Sequence, residues 1–97
     1  MTPEGKIVAY LKRVVREQGG IVRKVEWSGV RGAPDLLVMY RGGHVFVECK
    51  APGQKPEPHQ IREHERMERV GGGLVVVIDS EAAANELLSL MDWMHRE

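Results

Sequence analysis

The stretch Asp35-Leu36-Leu37-Val38-Met39-Tyr40-Arg41-Gly42-Gly43-His44-Val45-Phe46-Val47-Glu48-Cys49-Lys50 decides the fold. Two apolar runs flank Arg41-Gly42-Gly43, which has the composition of a tight hairpin turn. With a two-residue loop at Arg41-Gly42, Tyr40 pairs with Gly43. Counting outward then sets Asp35 opposite Glu48. Directly paired residues hold their Cβ atoms roughly 4.5–5.5 Å apart on one face of a sheet. The strand period of two puts Lys50 on the face of Glu48 and turns Cys49 the other way. Two carboxylates and an ammonium therefore converge at the open end of the hairpin. That is a candidate divalent-metal site with a cationic partner. Leu37, Met39 and Phe46 share its face, so the face is expected to be largely covered, and covered carboxylates need a cation. The competing reading is an ordinary solvent-facing strand edge.

The short pattern alone is weak. Glu-x-Lys arises by chance in about one chain in three of this length, taking each charged type at roughly 6% of residues. A second copy, Glu4-Gly5-Lys6, falls in a helical segment, where residues two apart do not share a face.

Composition bounds the answer. A chain of 97 residues, 42% hydrophobic and 29% charged, reads as one globular domain over 1-97 with a modest core. Its apolar runs are far too short to cross a membrane, so no membrane partner is expected. The N-terminus lacks a hydrophobic signal region, which places the protein's work in a cytoplasm. The single cysteine, Cys49, excludes an internal disulfide and reads as a small buried core residue. Fourteen bases balance fourteen acids. From Asp79 onward there are five acids (Asp79, Glu81, Glu86, Asp92, Glu97) against one base, Arg96. The earlier part, with the candidate site, is therefore net basic.

Outward from the hairpin the remaining elements follow. Thr2 can cap a helix with Pro3 at its first position. Ile7, Val8, Leu11, Val14 and Val15 form its apolar stripe, and Gly19-Gly20 ends it. Ile21 to Trp27 reads as a strand. Ser28 to Pro34 is a loop with two glycines, suited to close approach by a ligand. Pro58 starts a second helix that runs to about Val70. Leu74 to Ile78 is a continuous apolar run, as expected of a strand covered on both faces. Asp79 or Ser80 caps a last helix bearing Leu87, Leu88, Met91 and Met94. The order is αβββαβα, an α/β fold with one mixed sheet flanked by helices.

Gly32-Ala33-Pro34-Asp35 before the hairpin, Glu48-Cys49-Lys50 at its end and Gln60 in the next helix resemble the PD-(D/E)xK nuclease superfamily, and within it the small VRR-NUC (virus-type replication-repair nuclease) domains. The resemblance spans about Glu4 to Asp79. It implies a restriction-endonuclease-like αβββαβ core with a C-terminal helix added. It implies a Mg²⁺- or Mn²⁺-dependent DNA endonuclease of a bacterial or phage-infected cell, acting as a homodimer on branched, flapped or junction DNA in replication or repair. Asp35 and Glu48 would be metal ligands and Lys50 the catalytic lysine. Glu4 lies where relatives carry a helix-borne acid that assists at the metal, and Gln60 occupies a family site position. No organic cofactor is implied.

The chemistry explains these residue types. A hard divalent cation takes oxygen ligands, keeps several waters and bridges to a phosphate. The backbone carbonyl of Cys49 lies between the two functional side chains and is the candidate third ligand. Lys50 is a compact point charge suited to the attacking water or the scissile phosphate. Arg31, in the loop before Asp35, is the better choice for DNA-phosphate contact, with Lys55 second.

Other residues have blander readings. His59 and His64, five apart, lie on different sides of a helix. With His44 and His95 they read as surface or packing histidines. Arg62, Arg66 and Arg69 form a stripe that Glu65 could neutralise as a salt-bridged face, as readily as it could meet DNA. Trp93 and Met94 read most simply as core, whereas an exposed Trp93 would indicate a dimer surface. Val14, Val15, Trp27, Leu90, Trp93 and Met94 cannot all enter one small core, which independently suggests a homodimer. Two other classes compete with the enzyme: a catalytically idle nucleic-acid-binding or assembly module on the same fold, and an interaction protein working through the acidic last helix.

Overall fold

The computed structural model describes residues 1–94. Helix α1 (Pro3–Glu17) leads into strand β1 (Ile21–Lys24). Strands β2 (Leu36–Tyr40) and β3 (Gly43–Cys49) form the hairpin, followed by helix α2 (Pro58–Gly71), strand β4 (Val75–Ile78) and helix α3 (Glu81–Met94). The four strands lie in the order β1-β2-β3-β4, antiparallel except for the parallel β3–β4 pair. This is the expected mixed sheet with flanking helices.

The hairpin register is as counted. Tyr40 pairs with Gly43 and Leu36 with Val47. Arg41 and Gly42 both have positive φ, 52° and 83°, the signature of a type I′ turn whose twist suits the flanking strands. Thr2 Oγ1 accepts from Gly5 N at 3.0 Å and caps α1. Ser80 is the cap of α3, its Oγ accepting from Ala83 N at 3.0 Å.

The two faces of the sheet differ. Leu36, Val38, Tyr40, Val45, Val47 and Cys49 are buried on one face, in one core with Ile7, Leu11 and Val15 of α1 and Ala84, Leu87 and Met91 of α3. Tyr40 fastens this layer, its hydroxyl donating to Asp92 Oδ1 at 2.8 Å. The other face carries α2, which packs on the β4 side and leaves the β1–β2 side open. Leu37, Met39 and Phe46 are accordingly half-buried, not largely covered.

Other expectations fail for similar reasons. Strand β1 stops at Lys24, short of Trp27, because Trp27 turns its indole to the Pro34 carbonyl and the chain bends into the glycine loop. Strand β4 is half-buried over Val75, Val76 and Val77, because it is the sheet's edge and has a strand on one side alone. Trp93 and Met94 are exposed (69% and 43%) and Leu90 is 40% exposed, because Leu87, Leu88 and Met91 already fill the inner face of α3. His95 lies outside the described residues.

Candidate active site

Four segments meet where the hairpin opens. Asp35 stands just before β2, and Val25 N donates to its carbonyl at 2.8 Å. Extending the β2–β3 register one step brings Asp35 opposite Glu48. Glu48 in turn pairs with Val77 of β4, and Lys50 N donates to Ile78 O at 2.9 Å. The backbone of each of these residues is thus held by neighbouring chain, which is the rigidity a site needs. Indole Nε1 of Trp27 donates to Pro34 O at 2.6 Å, and its ring lies 5.5 Å from that of Phe46, so the segment before Asp35 is clamped as well.

The two carboxylates sit in different surroundings. Asp35 is exposed, whereas Glu48 retains 7% of its surface. Loss of water around Glu48, then the negative charge of Asp35, push its pKa up to about 7, against a smaller opposing effect of Lys50. Glu4 on α1 raises it further, so its charge reaches the site although its side chain is exposed. Cys49 faces the core, and burial pushes its thiol up to about 12, which leaves its backbone rather than its sulfur for the site.

A buried histidine completes the arrangement. His64 of α2 is 7% exposed, and its Nε2 stands 4.0 Å from Glu48 Oε1. That nitrogen has no hydrogen-bond partner. Burial lowers the pKa of His64, and a hydrogen bond with the Gly32 backbone opposes the shift. Of the two readings of His64, surface or packing, the structure gives the buried one, and places its ring beside Glu48. The available signal was its position four residues after Gln60, which puts both on one helix face. His59 is half-buried and His44 exposed.

Gly32 explains how α2 comes so close. A Cβ there would lie 2.8 Å from the His59 carbonyl oxygen and 3.1 Å from Gln60 Cα, and its φ is +85°. Gln60 is half-buried, and its Oε1 accepts from Glu57 N at 2.8 Å, so it also closes the first turn of α2. Arg31 and Lys55 are exposed in the loops on either side of the hairpin. Arg62, Arg66 and Arg69 are exposed, and among the described residues none forms an ion pair. The salt-bridged reading of that stripe fails because Glu65 is itself exposed and stands within ion-pair distance of none of the three, a contact that exposed side chains gain little by making.

Among the described residues, no three His, Cys, Asp or Glu side chains gather closely enough to enclose a metal ion by themselves. The donors present nevertheless fit a hard cation. Magnesium is ordinarily held by one or two carboxylates with waters and phosphate oxygens completing its shell. A desolvated Glu48 beside the like charge of Asp35 is an arrangement that a divalent cation relieves.

Comparison with known proteins identifies the family. No family model matches the chain. A phage protein described as "Putative nuclease p44", from Acyrthosiphon pisum secondary endosymbiont phage 1, is 48% identical over 79 residues, covering 80% of this chain and 84% of that one. A solved structure described as a VRR_NUC domain superposes with a TM-score of 0.82 at 44% identity, over 92% of this chain and 97% of the other. The chain belongs to the VRR-NUC family of the PD-(D/E)xK nucleases. No helix among the described residues is long and apolar enough to cross a membrane.

Proposed function

We propose that this protein is a Mg²⁺- or Mn²⁺-dependent DNA endonuclease that hydrolyses phosphodiester bonds, selective for branched, flapped or junction DNA in replication or repair. The observation that carries the reading is the buried Glu48, facing Asp35 across the hairpin with Lys50 two residues on. A catalytically idle module has no use for a desolvated carboxylate beside a second one, since the pair costs stability without a cation.

Asp35 and Glu48 would hold the cation, with the Cys49 carbonyl as a third oxygen donor and Glu4 approaching from α1. When bound, the cation supplies charge neutralisation at the phosphate and acidifies a water. Lys50 orients the attacking water or steadies the scissile phosphate, an electrostatic role aimed at charge that develops in the transition state. Arg31 and Lys55 bind the DNA backbone on either side of the cut and set its register. Gln60 orients the site from the first turn of α2 while capping that turn.

The same proposal includes a homodimer, which would present one site to each strand of a duplex or junction. The exposed Leu90, Trp93 and Met94 on α3 and the half-open Leu37, Met39 and Phe46 support it. Light scattering at micromolar concentration reads it directly, and a mass of 10.9 kDa unchanged on concentration would refute it.

The decisive experiment is cleavage of a panel of linear, nicked, flapped and four-way DNA with Mg²⁺ or Mn²⁺, comparing wild type with Asp35→Ala and Glu48→Ala. Loss of cutting in both variants with the fold retained is expected. A Glu48→Ala protein that cuts at the wild-type rate would rule the site out.

A further inference from the structure

Among the described residues, His64 is the buried polar side chain at the site to which the scheme above gives no task. Its ring is buried between α2 and the sheet, and Nε2 is left without a hydrogen-bond partner while facing Glu48 Oε1 at 4.0 Å. A buried unpaired nitrogen costs free energy, so its retention needs a reason. The helix that carries the ring is seated on Gly32, three residues before Asp35. A neutral imidazole has one N–H, and with that proton on Nε2 the ring presents a donor to the Glu48 carboxylate.

We propose that His64 is a positioning residue for Glu48: it holds Oε1 in the orientation in which Asp35 and Glu48 can share one divalent cation. This rests on the metal-site reading of those two carboxylates. Glu48 has three side-chain torsions and sits beside a like charge, so unaided it would rotate away from Asp35. The ring is rigid and placed by a helix whose first turn is seated on Gly32. At 4.0 Å the two atoms stand outside hydrogen-bond distance, so the bond forms when either side chain rotates toward the other. Carboxylates that ligate metals are themselves ordinarily held by a second group, and removing that group weakens metal affinity about 10–100-fold.

Two substitutions separate positioning from packing. The amide nitrogen of a glutamine can stand where Nε2 stands, and that of an asparagine where Nδ1 stands. His64→Gln therefore keeps a donor toward Glu48, and His64→Asn keeps a polar amide that does not reach it. The measurement is calorimetric titration of the DNA-free protein with Mn²⁺, with thermal melting of each apo variant beside it. His64→Asn should bind Mn²⁺ about 10-fold or more weaker than wild type, and His64→Gln within about 3-fold of it. In cleavage assays the loss in His64→Asn should shrink as Mn²⁺ is raised, which a damaged fold would not do. Wild-type Mn²⁺ affinity in His64→Asn, or equal losses in both variants, would overturn the positioning role and leave a packing one. A wild-type protein that binds no Mn²⁺, or an Asp35→Ala variant that binds it undiminished, would instead overturn the metal site itself and the positioning role with it.

Discussion

The indole Nε1–H of Trp27 donates to the carbonyl oxygen of Pro34 at 2.6 Å, one residue before Asp35. The bond joins the end of the β1 segment to the start of β2 across the glycine loop. Together with the Val25–Asp35 backbone bond it fixes where the Asp35 carboxylate begins. Trp27→Phe keeps an aromatic ring against Phe46 and removes the donor. It should cost about 1–2 kcal/mol of stability, the usual result of leaving a part-buried carbonyl unpaired. Cleavage should fall more than stability alone accounts for, because a misplaced ligand weakens the site. Denaturant unfolding and steady-state cleavage measured on one preparation check both, and an unchanged cleavage rate would show that the clamp does not serve the site.

Gly32→Ala is expected to be severe. Its Cβ would meet backbone atoms of His59 and Gln60 at 2.8 and 3.1 Å, and backbone cannot give way as a side-chain end can. The positive φ adds strain. The expected cost is about 2 kcal/mol or more. Gly53→Ala is the comparison, since Gly53 has a positive φ and nothing within 4 Å of its Cβ position. Chemical denaturation should show a much larger loss for Gly32→Ala, and equal losses would mean that α2 can retreat from the loop.

Glu48 makes the metal-free protein pH-sensitive in a definite direction. Its pKa is raised from the ordinary 4.5 to about 7, so the folded state holds a proton there that the unfolded chain releases. The stability this contributes is fully present below about pH 4.5 and is lost as pH rises to about 7. Glu48→Gln should remove that slope and leave the apo protein more stable at pH 8, by on the order of 2 kcal/mol. The lowered pKa of His64 has the opposite sign, since its contribution is lost as pH falls below the ordinary histidine value of 6.5. The difference between wild type and variant reads Glu48 together with its effect on the neighbouring His64. Thermal melts in EDTA from pH 4.5 to 8 read it, and a difference that does not change with pH would contradict the burial of a titrating Glu48.

Lys50→Ala should keep metal binding and lose most of the rate. Its charge acts on the transition state rather than on the ligands, and removal of one such stabiliser costs about 10²–10³-fold in turnover. Its backbone bond to Ile78 survives the substitution, so the strand end should hold. Single-turnover cleavage at saturating Mg²⁺ is the check, and a rate equal to wild type would remove Lys50 from the chemistry.

The site's core was legible because it is local. Asp35, Glu48 and Lys50 lie within sixteen residues, and a two-residue turn leaves one register once the strand period is two. The Thr2-Pro3 start of α1 and the Pro58 start of α2 were equally local, since a cap is a matter of a few adjacent residues. The sequence by itself therefore determined the element order, the hairpin and the three charged groups at its mouth. The tertiary structure decided what those groups face. That α2 covers the β4 side of the sheet and leaves Leu37 and Met39 half open depends on how a whole helix packs, which no window of sequence encodes. Packing likewise put His64 against Glu48, tied Gln60 to Glu57 N, and left Trp93 and the arginines of α2 at the surface. Helix period says which residues share a face, but the direction of that face is set by long-range burial, where each alternative differs by a few kcal/mol spread over many small contacts.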